Sequence, residues 1–295
     1  MPIDVTVVAM RRVNATKLRT CSADLTILGI ILVTVVALLA VASNVRSSAE
    51  GGFATADMKL IAVDDFDGPA GAAPDTRFWD YDIGGSGWGN REQQTYTRDP
   101  DNVRLSGTGD LVLQARREGE SYTSARLVSR GKLTFDYGLV EVRAKLPEGQ
   151  GLHSAIWMLG ENLGAVGWPQ CGEIDIMELV NTGTTYHNAI HGPTYADPET
   201  GWQQASEGSA SSNLASDYHV YQLYREPGVI KIGLDGALVG QYTRASIPPE
   251  ANWVFDDAPM YLTLNIAVGG EWPGAVAPDT PLPATMLVDS VRFWQ

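Results

Sequence analysis

Cysteine, histidine and N-terminal aromatics are what this sequence of 295 residues has least of. Of two cysteines, Cys21 precedes a long apolar run and Cys171 stands alone after it, so no intrachain disulfide is expected and the fold must hold by its core. With four histidines, no Cys or His pair has the spacing of a structural zinc site. Basic residues are also scarce, 21 Lys+Arg against 35 Asp+Glu for a net charge of −14, which excludes the basic face that a nucleic-acid partner requires. No aromatic occurs before Phe53, although the chain carries 8 Trp, 11 Tyr and 6 Phe. A 3.6-residue period never lasts three turns after Gly51, so no long helix is expected there.

The first fifty residues carry five basic and three acidic side chains. Arg11, Arg12, Lys17 and Arg19 precede an uncharged stretch whose apolar centre, Leu25 to Ala42, is 18 residues long, just enough to cross a bilayer. The positive flank is expected to stay in the cytoplasm and send the remainder outward. Ala40-Val41-Ala42 offers a small-x-small cleavage site, so the segment reads either as a signal peptide or as a membrane anchor. Residues 1–58 are thus expected to be a cytoplasmic n-region, a hydrophobic signal or anchor and a short linker. Residues 59–295 are expected to form one exported, monomeric domain.

In that domain short alternating runs are punctuated by Gly and Pro. Leu111 to Arg116, Leu139 to Leu146, Val229 to Leu234 and Met286 to Trp294 all read as strands, and Met260 to Val268 as one covered on both faces. The pattern predicts an all-β sandwich or barrel.

The strongest chemical signal is Glu173-Ile174-Asp175-Ile176-Met177-Glu178. Alternation puts Glu173 and Asp175 on one face, and a one-residue bulge near Ile176-Met177 would bring Glu178 to the same side. A row of carboxylates costs stability through repulsion and drives pKa values apart, as acid/base chemistry at a glycosidic bond requires. A solvated acidic edge and a Ca²⁺ site are the competing readings, but the segment is too apolar for the loop oxygens that Ca²⁺ prefers. Trp88, Trp168 and Trp272 lie in Gly/Pro-rich segments and are expected to line a sugar-binding cleft. Trp157 fits cleft or core equally, and Trp79, Trp202, Trp253 and Trp294 read as ordinary packing.

This segment resembles the E-x-D-x-x-E signature of glycoside hydrolase family 16, in its laminarinase-like form. Asp64 to Gly68, Trp88 to Thr97, Tyr122 to Leu127 with Arg130-Gly131-Lys132, and Leu264 to Gly274 resemble further family segments in the same order. The resemblance spans about residues 60–295. It implies a jelly-roll β-sandwich with a concave cleft, with Glu173 as nucleophile, Glu178 as general acid/base and Asp175 between them. It implies sugar contacts from Asn90, Arg126 and Trp157, and a hydrogen-bonding His191 beside the acids. Catalysis needs no cofactor, while a structural Ca²⁺ away from the cleft would take Asp65, the Gly109 carbonyl and Asp289. The spacer Ile176-Met177 implies an endo-1,3-β-glucanase rather than a 1,3-1,4-β-glucanase, so the expected partner is a β-1,3-glucan. Two departures stand out: His153-Ser154-Ala155 replaces Trp-Pro-Ala, and Tyr224 stands where Trp is frequent. The competing functions are a β-glucan-binding protein without catalysis, and a transglycosylase or hydrolase acting on another polysaccharide.

Overall fold

The computed structural model describes Phe53, Thr55 and residues 57–295. The predicted signal or anchor segment, Leu25 to Ala42, lies outside the described residues. Among the described residues no helix is long and apolar enough to cross a membrane.

Among the described residues two sheets carry nearly all regular structure. The ten-stranded sheet runs β16 (Ala237–Thr243), β15 (Val229–Leu234), β14 (His219–Glu226), β9 (Gly138–Lys145), β18 (Ala284–Trp294), β5 (Leu111–Glu118), β6 (Ser121–Ser124) and β3 (Gln94–Tyr96). In addition β1 (Leu60–Asp64) pairs with β18, and β4 (Val103–Leu105) pairs with β5. The eight-stranded sheet runs β13 (Gly201–Ser209), β12 (Thr185–Pro193), β11 (Glu173–Val180), β10 (Leu152–Gly160), β17 (Met260–Val268), β7 (Arg126–Val128) and β2 (Asp80–Tyr81), with β8 (Thr134–Phe135) pairing β17. One short helix, α1 (Leu163–Val166), sits between β10 and β11.

The core follows from alternation. Val140, Val142 and Ala144 of β9 are buried in the same cluster as Ile174, Ile176, Met177 and Leu179 of β11. Burying these side chains removes their apolar surface from water, at about 25 cal/mol per Å². The five predicted strands are all present, and Val229–Leu234 is the whole of β15. All nine residues of β17 are buried, as the continuous apolar run required. Leu262, Leu264, Ile266 and Val268 enter the main core, while Asn265 contributes a polar contact to Trp157 Nε1. The eight-stranded sheet therefore has a packed face and a polar one.

Candidate active site

Strand β11 carries the acids, and its backbone departs from regular pairing where the sequence predicted. Against β12, Asp175 faces Ala189 but Glu178 faces His187, so three steps on β11 match two on β12. Against β10 the register shifts between Ile156 and Trp157, opposite the same place. The extra residue sends both Ile176 and Met177 into the core and returns Glu178 to the face of Glu173 and Asp175. Without the bulge, alternation would have aimed Glu178 into the hydrophobic layer.

Each acid has a distinct partner. Trp168 Nε1 donates to Glu173 Oε2 at 2.9 Å. His191, across β12 from Glu173, has Nε2 2.9 Å from Asp175 Oδ2 and 3.9 Å from Glu173 Oε1. His153 Nε2 lies 2.9 Å from Glu178 Oε1. Burial, followed by the charge of Asp175, pushes Glu173 up to about 8, and His191 and the Trp168 N–H oppose that rise. Burial and the charge of Glu178 push Asp175 up to about 6 against the pull of His191. His191 is drawn down by burial, but its bond to Asp175 and the surrounding carboxylates push it up to about 9. Protons on Glu173 and Asp175 titrate jointly because the two charges repel across a short distance. Among the described residues, Glu173, Asp175 and His191 are also the one group of acids and histidines whose ligand atoms converge within 4.8 Å.

Of the tryptophans expected in the cleft, Trp168 touches Glu173 and Trp272 packs on His153, the partner of Glu178. Trp168 and Trp272 are 50% and 46% exposed, far from core values. Trp88 sits in a turn where Gly87, Trp88 and Gly89 all have left-handed φ (83°, 49° and 85°), and its indole N–H donates to the Gly84 carbonyl at 3.1 Å. Trp157 donates to Asn265 Oδ1 at 2.7 Å. Arg126, whose side chain is 12% exposed, lies between the two rings, 4.8 Å from Trp88 and 4.5 Å from Trp157, and its Nε is 3.3 Å from Asp82. It holds the wall together as well as facing the cleft. Asn90 joins the Trp88 turn to the Trp272 loop: its carbonyl accepts from Glu271 N at 2.8 Å. Trp79, Trp202 and Trp253 are buried, in keeping with a packing role.

Three neighbours escaped the sequence reading. His153 bonds Glu178, and with His187 it brackets Trp272, the ring centroids lying 5.1 and 4.9 Å from that of Trp272. Strand alternation carried the signal for His153, which shares the parity of Ala155 and Trp157. Glu92, in the segment that follows Trp88, accepts from Gln94 Nε2 at 2.5 Å and from Tyr96 Oη at 3.3 Å. Burial raises its pKa against those bonds and the charges of His153 and Arg126.

The residues expected to hold Ca²⁺ share one corner of the ten-stranded sheet. Asp65 follows β1, Gly109 precedes β5, and Asp289 sits at a register shift of β18. Arg292 contacts Asp65 at 2.7 Å and Arg143 contacts Asp289 at 3.0 Å. Both pairs are solvent-exposed, of the kind that costs little to displace.

A row of buried acids flanked by aromatic walls, on one sheet of a β-sandwich, defines a carbohydrate-active protein. The family model for glycosyl hydrolases family 16 matches residues 90–280. A beta-glucanase of Rhodothermus marinus is 41% identical over 249 residues, covering 80% of this chain and 85% of that protein. Glucan endo-1,3-beta-glucosidase A1 of Niallia circulans is 33% identical over 270 residues, 82% of this chain but 38% of the relative. The laminarinase catalytic domain of Thermotoga maritima superposes with a TM-score of 0.72 at 35% identity, covering 81% of this chain and 98% of that one. The chain belongs to glycosyl hydrolases family 16. It is a jelly-roll glycoside hydrolase, a class that needs no cofactor for catalysis.

Proposed function

We propose that this enzyme hydrolyses internal 1,3-β-glucosidic bonds of β-glucans with retention of anomeric configuration. In this reading Glu173 attacks the anomeric carbon while Glu178 gives a proton to the departing oxygen. Glu178 then takes a proton from water, whose oxygen displaces Glu173 from the sugar. The observation that carries the reading is the bulge at Ile176-Met177, which puts Glu178 on the same face as Glu173. The attack needs Glu173 ionised, against the burial that raises its pKa, and the charge of His191 and the Trp168 N–H are the groups that would favour its carboxylate. Trp88, Trp157, Trp168 and Trp272 would hold the sugar rings, with Asn90 and Arg126 at their edges. The names of the relatives support a β-1,3-glucan as substrate.

The basic flank and apolar run at the N-terminus support work outside the cytoplasm, either after cleavage or from a membrane anchor, and nothing in this mechanism requires a second subunit. Calcium has no part in it, and a Ca²⁺ at Asp65 and Asp289 would have to displace two arginines.

The test is hydrolysis of laminarin by the wild type, Glu173→Gln and Glu178→Gln. Glu178→Gln should lose on the order of 10²–10⁴-fold in rate, and Glu173→Gln on the order of 10⁴-fold or more. Wild-type rates in either variant, or an α-anomer released first, would overturn the assignment.

A further inference from the structure

The contact between His153 and Glu178 points beyond the pairing of acids. His153 is on β10, where its Nε2 reaches Glu178 Oε1 at 2.9 Å. Its Nδ1 is buried with no hydrogen-bond partner among the described residues, so Glu178 is the polar group that fixes the ring. The other restraint is Trp272, edge-on at 5.1 Å. Trp272 is packed in the same way from its other neighbour, His187 of β12, at 4.9 Å. The groups facing this imidazole are Glu178 and Asp175 from β11 and Glu92 from the segment before β3, and their negative charges raise its pKa against burial.

We propose that His153 is a positioning residue for Glu178, one that decides which carboxyl oxygen carries the catalytic proton. This rests on the reading of Glu178 as acid/base. In this assignment the surrounding carboxylates favour a proton on the nitrogen that faces Glu178, so Nε2–H donates to Oε1, Oε1 is committed as an acceptor and the transferable proton resides on Oε2. When the C1–O bond breaks, that proton passes from Oε2 to the leaving oxygen as Glu173 bonds to C1. The carboxylate left behind keeps its bond from His153. In the second step Oε2 takes a proton from water while the water oxygen bonds to C1 and the C1–Glu173 bond breaks. His153 neither gains nor loses a proton in the cycle. By packing on Trp272, it also fixes the acid relative to the ring expected to carry the sugar. Geometric commitment of this kind matters because proton transfer demands hydrogen-bond reach in a single orientation.

The experiment compares His153→Ala and His153→Gln in the full chain on two substrates. One is laminarin, whose leaving sugar needs a proton. The other is 2,4-dinitrophenyl β-laminaribioside, whose leaving group departs without one, followed by the pre-steady-state burst of dinitrophenolate. His153→Ala should lose about tenfold or more in kcat on laminarin, with KM within about twofold, and keep the wild-type burst rate. His153→Gln, whose amide N–H can still donate to Oε1, should recover most of the laminarin rate. Should the Ala variant fail to fold, His153→Asn replaces it, its amide being too short to reach Oε1. Equal losses on both substrates, or an unchanged laminarin rate, would overturn the proposal. Glu178→Gln on the same pair separates the two ideas. If it keeps the laminarin rate, the acid/base reading itself fails. If it shows the leaving-group split and His153→Ala does not, only the role of His153 fails.

Discussion

His191 Nε2 lies 2.9 Å from Asp175 Oδ2, an ion-pair contact, and the same nitrogen is 3.9 Å from Glu173 Oε1. One imidazole on β12 therefore compensates two acids on β11. Its pKa is pushed up to about 9, so at neutral pH it is a cation opposing the burial and the repulsion that raise both carboxyls. Removing it leaves the acids to hold their protons more tightly, since an opposite charge at this range lowers a carboxyl pKa. His191→Gln should accordingly move the acid limb of kcat/KM to higher pH by about one unit. A pH profile on laminarin checks this, and an unmoved acid limb refutes it.

Burial and mutual repulsion of these acids have a consequence for stability. Glu173 and Asp175 have folded-state pKa values raised above those of the unfolded chain, to about 8 and about 6. The native state thus binds more protons than the unfolded state between roughly pH 4.5 and pH 8, so these two groups make stability fall as pH rises across that window. His191 is also raised, to about 9; its contribution is complete below its unfolded pKa near 6.5 and disappears as pH rises through 9. At pH 7 the raised pKa obliges the folded state to hold a proton on Glu173 that the unfolded chain releases, and Glu173→Gln removes that cost while keeping an acceptor for the Trp168 N–H. At pH 7 it should be inactive and more stable by about 0.5–2 kcal/mol. Thermal unfolding at pH 5 and pH 7 tests this: the gain over wild type should shrink at the lower pH.

Much of this site is legible in the sequence. The acids alternate with apolar residues, and the five-residue step from Glu173 to Glu178, an odd number, demands a bulge if both are to face the same way. Trp168 and Trp272 were legible as cleft residues because Gly and Pro around them exclude a periodic strand. The partners of the acids were less legible. His153 reaches Glu178 because β10 and β11 pair with a register shift at Ile156/Trp157, and no local pattern encodes that long-range pairing. The contacts of the residues expected to hold Ca²⁺ were hidden for the same reason. Residue identity located Asp65 and Asp289, but Arg292 and Arg143, which balance them, are brought there by strand pairing.

Arg126 is held by two aromatic faces as well as by charge. Its guanidinium is 4.8 Å from Trp88 and 4.5 Å from Trp157, with Asp82 at 3.3 Å. A planar guanidinium fills the slot between two rings, whereas an ammonium is a compact, strongly hydrated charge that does not. Arg126→Lys should cost about 1 kcal/mol for the lost stacking and loosen both indoles. The expected kinetic signature is a KM for laminarin raised about fivefold to tenfold, with a smaller fall in kcat and a red-shifted tryptophan emission. An unchanged KM would show that the wall stands without it.

Two loops form one side of the site, and Gly270 lets them meet. Its φ is 110°, a region that side chains rarely adopt, and a Cβ there would lie 2.8 Å from the Asn90 carbonyl oxygen. That oxygen accepts from Glu271 N at 2.8 Å, and Arg91 reinforces the junction by pairing with Glu271 at 3.1 Å. The surface pair is worth little, because both side chains are well exposed. The backbone contact is the tie between the Trp88 turn and the Trp272 loop. Gly270→Ala adds both strain and a clash, so it should destabilise by about 1–3 kcal/mol and raise KM by shifting Trp272 relative to Trp88. Arg91→Ala should change stability by less than about 1 kcal/mol and leave KM alone. Equal effects of the two substitutions in thermal unfolding and laminarin kinetics would show that the side-chain pair, rather than the close backbone approach at Gly270, holds the loops together.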